Sequence, residues 1–470
     1  MHAKFIAFLV FVSLGLIALP LAVASHFHLF ADGAYYFARL VEFGTIPTTG
    51  PRFFSLIITQ LPTLLALQTG TSDVSALSYI YGISLYYLPF ICYAIAVFLL
   101  FRKGMYTHAT LLVLMYTILI YFTSYFIISE SHLSSGLFVL ALSIIATRCL
   151  QNVAPLLTLV GIGIIALFSY EFWAIFFPVC IVFFLYKIRR QATPAPSKLL
   201  QASIVFLYSA GLTTNLVAIM FLQNGVNRDA MFSTHMNSVW YLLFPTCLFF
   251  GSVVIYGCFV PTFIMRRLNL GRRTGFLQSS SLQQLKAVFY LALRVIVTVT
   301  GFSVFVYFYG VPSPQNAYAL RSLNLFLPLL FAMSLLIMPK KLPDSASARI
   351  IACYCVLPIL VLTMHASLHN TKRWSAFKDS LFTATQQQAG FVAINEVKVS
   401  NPEFVWGWTS PTLSILVQAM QGGHVRSIIF DPKILWQPYD SSDLENVVLL
   451  IKSTHSHFVI TATPDANPNN

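Results

Sequence analysis

The chain has 470 residues, of which 57% are hydrophobic and only 9% are charged, and its mean hydropathy is +0.76. This composition excludes a soluble globular domain and indicates a protein with many membrane spans. The net charge of +13 is not a nucleic-acid footprint, because residues 1–366 carry 21 basic and 7 acidic residues whereas residues 367–470 carry 7 and 8.

Eleven apolar segments are long enough to cross a bilayer. The first covers residues 5–24 and is longer than the apolar core of a signal peptide. The others cover residues 77–101, 107–128, 133–150, 153–170, 172–188, 200–222, 239–265, 286–309, 321–338 and 349–366. Residues 53–68 are apolar but short, so we predict an interfacial or re-entrant helix within a loop at 26–74.

The placement of charge orients these spans. With the N-terminus inside, Lys and Arg concentrate in the inner loops, and a crossing at residues 53–68 would invert that order. The C-terminal part is therefore predicted to lie outside the cytoplasm. Six of the seven acidic residues before position 367 then fall on the outer side, and they are Asp32, Glu42, Asp73, Glu130, Glu171 and Asp229.

Residues 367–470 differ in composition from the rest of the chain. Strand-like runs occur at 391–394, 427–430 and 457–460, and residues 411–420 have the pattern of a helix. We therefore predict an α-helical membrane domain of about eleven spans over residues 1–366. A small extracytoplasmic α/β domain follows over residues 367–470 and ends in a disordered tail.

An isolated carboxylate, Asp32, follows directly on the first span. A lone carboxylate suits a general base that takes a proton from a hydroxyl group, and ionisable groups at a membrane edge indicate function. The alternative is an N-cap, with Asp32 starting an interfacial helix that runs to about Phe43. Arg39 and Tyr35 of the same segment are candidate substrate-binding residues.

Further candidates lie at other predicted outer turns. Glu130 is a second candidate catalytic carboxylate, and His132 is a candidate binding residue. Residues 129–132 could equally form a polar turn. Glu171 stands among aromatic residues, as in sugar-binding sites, but the same pattern occurs in an aromatic belt. Arg321 could pair with a phosphate, or it could be an interfacial anchor. No residues were identified as metal ligands.

Three stretches carry a family resemblance: FADGAYYFARLVEFG at 30–44, SESH at 129–132 and WGWTSPTLSIL at 406–416. With the span layout they resemble the GT-C superfamily of integral-membrane glycosyltransferases, which use polyprenyl-phosphate-linked sugars. Without the resemblance, residues 405–414 would be a packing motif that docks the C-terminal domain. Gly33 stands where many members have a second acid beside Asp32, so the part played by a divalent metal stays open.

The resemblance implies inverting transfer of a sugar from a polyprenyl-phosphate donor to a lipid, glycan or protein acceptor, at the outer face of a bacterial inner membrane. Asp32 would be the base, Arg321 would stabilise the leaving phosphate, and the helix at 53–68 would wall the groove of the lipid tail. Two other functions compete. A transporter or flippase would need its polar groups near the bilayer midplane, and a non-catalytic envelope assembly protein would act through residues 367–470.

Overall fold

The computed structural model describes residues 3–46, 52–120, 130–148, 150, 152–189, 195–217, 323–337, 352–388, 390–406, 409–421 and 425–430. The described part is mostly helical. Its helices are α1 (Ala3–Ala24), α2 (Asp32–Phe43), α3 (Phe53–Gln68), α4 (Val74–Arg102), α5 (Tyr106–Leu119), α6 (Glu130–Thr147), α7 (Val153–Ala166), α8 (Trp173–Ile188), α9 (Ala195–Val217), α10 (Leu323–Ile337), α11 (Leu357–Gln387) and α12 (Ser410–Met420).

Three helices of the described part are long and apolar enough to cross a membrane: Ala3–Ala24, Val74–Arg102 and, within α9, Lys198–Val217. Large apolar side chains are exposed along all three, among them Leu16 at 72% and Phe206 at 77%. Helices with apolar outer surfaces are compatible with a membrane protein. The count of eleven spans and their orientation stay predictions, and the segments 239–265 and 286–309 lie outside the described residues.

Close contacts between helices depend on small side chains and aromatic stacking. A Cβ added at Gly136 of α6 would lie 3.0 Å from the Cβ of Cys92, so α4 and α6 approach closely at this point. Phe138 of α6 stacks on Phe176 of α8 with ring centroids 4.0 Å apart. The Tyr208 hydroxyl donates to the Leu159 carbonyl over 3.1 Å and ties α9 to α7. Apolar packing and a few hydrogen bonds thus join helices that are not consecutive in the chain.

Helix α11 links the bundle to the C-terminal unit, which we define as the second half of α11 with the short elements that follow it. Its 31 residues extend over about 46 Å. The predicted domain boundary after residue 366 falls inside this continuous helix. Two parallel strands follow, β1 (Gly390–Ala393) and β2 (Ser427–Phe430), and α12 packs against β2.

The strands predicted at 391–394 and 427–430 and the helix predicted at 411–420 are confirmed, because the bounds of β1, β2 and α12 agree with them to within one residue. The predicted strand at 457–460 lies outside the described residues. The Gln418 side chain joins α12 to the sheet, because its amide nitrogen donates to the Ser427 carbonyl over 2.8 Å and its oxygen accepts from the Arg426 N–H over 2.8 Å.

An aromatic seam joins the C-terminal unit to the end of α1, and we define it as Phe27, Phe30, Trp374, Phe404 and Trp406. All five side chains are buried. Phe30 lies edge-on to Trp406 with ring centroids 5.7 Å apart and edge-on to Trp374 at 5.7 Å. Trp406 therefore packs as the docking interpretation of residues 405–414 expects. The neighbouring Gly407 and Trp408 lie outside the described residues.

Candidate functional site

The segment between α1 and α2 has a strained backbone conformation. His26 has φ 54° and Ala31 has φ 55°, and only one other non-glycine residue of the described part, Asn401, has a positive φ. Such backbone conformations cost about 1–3 kcal/mol each, and the surrounding packing must hold them. The Trp374 indole N–H, which donates to the Ser25 carbonyl over 3.0 Å, supplies one of these restraints.

Two histidine rings of this segment share one serine hydroxyl on α4. The Nδ1 of His26 lies 2.9 Å from the Ser78 Oγ, and the Nε2 of His28 lies 2.8 Å from the same atom. Because a hydroxyl has one proton, it can donate to only one of the rings, so at least one ring donates its N–H to the Ser78 Oγ. Gly82 makes room for this arrangement, since an added Cβ would lie 2.4 Å from the Nδ1 of His28.

The electrostatics of this cluster keep both histidines neutral. Burial, helped by the charge of Lys378, lowers the pKa of His26 to about 4. Burial also holds the pKa of His28 well below its usual value. Burial lowers the pKa of Lys378 itself to about 8, although Asp379 opposes the shift. At neutral pH the cluster therefore contains two neutral imidazoles and one mainly protonated ammonium group.

Asp32 is the first residue of α2, while the cap position belongs to Ala31, whose side chain makes no capping bond. Asp32 is therefore not the N-cap itself, as the capping interpretation expects, although a carboxylate in the first turn still interacts favourably with the helix dipole.

The close approach of the His28 backbone explains why residue 33 is a glycine. A Cβ added there would lie 1.8 Å from the His28 carbonyl oxygen, so this backbone has no room for a second acidic side chain beside Asp32.

Arg39 of α2 lies near the aromatic rings one turn before and one turn after it. The Arg39 guanidinium lies 4.4 Å from the Phe43 ring centroid and 5.8 Å from that of Tyr35. Burial raises the pKa of Glu42, against the opposing charge of Arg39. Within the described residues, the Arg39 Nε and the Glu42 Oε1 are buried without a hydrogen-bond partner. The Arg39 Nε–H therefore has no acceptor in the part of the chain that the structure describes.

Glu171 is engaged by the start of α3. Its Oε1 accepts from the Nε and Nη2 of Arg52, each at 3.3 Å, and the Arg52 guanidinium lies 4.8 Å from the Tyr170 ring centroid. The Ser55 hydroxyl donates to the Ser169 carbonyl over 2.6 Å in the same region. Glu171 thus anchors α3 to the turn before α8, and its predicted contact with substrate stays a prediction.

The start of α6 packs against the start of α10. The Asn324 amide donates to the Ser131 hydroxyl over 3.1 Å, and His132 is buried. The Glu130 side chain and Arg321 lie outside the described residues. If Asp32 and Glu130 serve one site, the two carboxylates should face one cavity, and this expectation from the sequence stays a prediction.

Sequence reasoning did not connect His26 and His28 with Ser78 and Lys378. Ser78 is one of several small polar residues in an apolar helix, and Lys378 lies some 350 positions beyond His28 in a polar segment. No spacing in the chain connects them.

Among the described residues, no group of three or more His, Cys, Asp or Glu side chains could hold a metal ion. Comparison with protein-family models, with curated proteins and with solved structures finds no match to this chain.

Proposed function

We propose that the protein is a membrane glycosyltransferase that moves a sugar from a polyprenyl-phosphate donor to a lipid, glycan or protein acceptor at the outer face of a bacterial inner membrane. The distribution of side chains on α3 carries the proposal. This helix directs polar residues inward and apolar residues outward, and it packs against α2, which begins at Asp32. A lipid-linked sugar requires a polar environment for the sugar beside an apolar environment for the lipid chain.

The proposed reaction is a single displacement at the anomeric carbon. The acceptor hydroxyl attacks that carbon as its proton passes to the Asp32 carboxylate. The bond between the anomeric carbon and the phosphate oxygen breaks, and the pair of electrons leaves with the polyprenyl phosphate. The configuration inverts. Because a phosphate is a good leaving group, the step needs no general acid. The negative charge of the leaving phosphate requires a cation beside it.

Arg321 is proposed to supply that cation. Arg321→Ala should lower donor use by about 10- to 100-fold, because a charge-assisted hydrogen bond typically contributes about 1.5–3 kcal/mol. Arg321→Lys should restore part of the loss, since lysine keeps the charge but not the paired donors. The measurement is kcat/KM for the donor in reconstituted vesicles. A fully active alanine variant would return Arg321 to the role of an interfacial anchor.

Topology offers a separate check. A reporter that is active only outside the cytoplasm, fused after Asn470, should be active, because the loops with excess Lys and Arg are predicted to stay inside. An inactive reporter on a well-expressed fusion would contradict the orientation, and with it the proposed side of the reaction.

The function itself is tested on lipid-linked glycans. A strain without the gene, compared with its parent by mass spectrometry, should accumulate a polyprenyl-phosphate sugar and lose one glycosylated product. The purified protein in vesicles should then transfer that sugar to the product's unmodified form. An unchanged glycan profile, with no transfer in vesicles, would refute the proposal.

A further inference from the structure

The buried face of α3 is unusually polar. Its buried residues are Ser55, Leu56, Thr59, Gln60 and Thr63. The exposed face instead carries large apolar side chains, with Leu61 at 42% and Leu65 at 51% exposure. An amphipathic helix on a soluble protein has the opposite arrangement. This one suits a helix with lipid on its outer side and a polar group on its inner side.

Two of these inward side chains have no partner within the part of the chain that the structure describes. Gln60 is 1% exposed and Thr63 is 0% exposed, yet neither the amide of Gln60 nor the hydroxyl of Thr63 makes a hydrogen bond. By contrast, the Thr59 hydroxyl donates to the Ser55 carbonyl over 2.7 Å. An unsatisfied buried polar group is costly, and a bound polar ligand would satisfy these three polar atoms, which lie on one turn.

The position of these groups makes a shared ligand feasible. Gln60 and Thr63 are three residues apart and therefore lie on one face of the helix. That helix packs against α2, α4 and α6. The Ser134 hydroxyl of α6 is also buried without a hydrogen-bond partner among the described residues.

The chemistry of the groups defines the ligand class. An amide and hydroxyls both donate and accept hydrogen bonds, and none of them is charged. They match the hydroxyl groups of a neutral sugar. A phosphate would call for a cation, and a divalent metal ion would call for carboxylates.

We infer that Gln60 and Thr63 form the subsite for the sugar of a lipid-linked donor, whose hydrocarbon chain runs along the apolar outer side of α3. This inference rests on the proposed function and adds to it the residues that recognise the sugar.

The test uses the full chain in lipid nanodiscs and the double variant Gln60→Met/Thr63→Val. Both replacements keep volume and remove the polar atoms. The probes are a panel of polyprenyl-phosphate hexoses, bare polyprenyl phosphate and the free hexoses. The variant should bind the lipid-linked hexose at least about tenfold more weakly, since several hydrogen bonds are lost. Its affinity for bare polyprenyl phosphate should not change, and its melting temperature without ligand should not fall.

Thr59→Val is the matched control, because it removes an equally buried hydroxyl of the same helix that already has a backbone partner. It should leave binding of the lipid-linked hexose unchanged. Equal affinity of the wild type and the double variant would overturn the subsite alone, while the proposed function stood. An equal loss for bare polyprenyl phosphate would also overturn it. Tight binding of free hexose would contradict a lipid-linked source, and a wild type that binds no lipid-linked hexose would refute both proposals.

Discussion

Asp32→Asn should lower the rate of sugar transfer by roughly 10²–10⁴-fold in protein that stays folded, which is the usual contribution of a general base. Asparagine keeps the size of the side chain and much of its hydrogen bonding, but it cannot accept the proton of the acceptor hydroxyl. Asp32 is the first residue of α2, and the N-cap is Ala31. Because asparagine is, like aspartate, well tolerated at the start of a helix, the substitution should change the helix little. The measurement is transfer per folded molecule in lipid.

Asp73→Asn is a matched control for that experiment. Asp73 is the N-cap of α4, and its carboxylate accepts the Ser75 N–H over 2.8 Å. Since asparagine caps a helix about as well as aspartate, this variant should retain its transfer rate and melting temperature. Near-normal transfer by Asp32→Asn would leave the first turn of α2 as a structural feature, and the catalytic role would pass to Glu130 or Glu171.

Trp374→Ala should lower the free energy of unfolding by about 3–5 kcal/mol, the range for removal of a large buried aromatic side chain. Trp374 is fully buried at the centre of the aromatic seam, with ring centroids 5.3 Å from Phe27 and 5.5 Å from Phe404. The change opens a cavity between the C-terminal unit and α1. It also removes the indole N–H that the Ser25 carbonyl accepts. Denaturant unfolding in mixed micelles measures the effect.

Two further variants separate packing from hydrogen bonding at that position. Trp374→Phe keeps an aromatic ring but leaves the Ser25 carbonyl without its donor. Its free energy of unfolding should fall by at least about 1 kcal/mol, the typical contribution of one hydrogen bond, but by less than that of the alanine variant. Leu368→Ala changes a half-exposed residue of the same helix and should stay within about 0.5 kcal/mol of the wild type. Equal stability of Trp374→Ala and Leu368→Ala would contradict the seam as a stabilising contact.

The sequence predicted helical elements well where apolar length and local signals agree. The predicted interfacial helix at 53–68 has the same bounds as α3, and the predicted helix from Asp32 to Phe43 has the same bounds as α2. Both follow from local pattern, because a proline, a glycine or a polar turn bounds each segment. Docking was one of two interpretations of residues 405–414, and the buried Trp406 packs against Phe30 as that interpretation expects.

The residues that form the candidate site were harder to predict from local sequence pattern. The cluster of His26, His28 and Ser78 joins residues about fifty positions apart, and nothing in the sequence distinguishes Ser78 from other serines of apolar helices. The inward polar face of α3 is visible in the sequence only as Ser, Thr and Gln residues. Gln60 and Thr63 are significant because they are buried and have no hydrogen-bond partner among the described residues, and both properties depend on the neighbouring helices.

The continuity of α11 has a mechanical consequence. Inside this helix no glycine or proline follows Pro358, which lies in its first turn, so the helix has none of the usual positions for a kink. A force on the second half of α11 is therefore transmitted along the helix. Trp374 packs there against Phe27, in the strained segment that precedes Asp32. A partner that binds the second half of α11 would therefore also act on the segment that positions the candidate base.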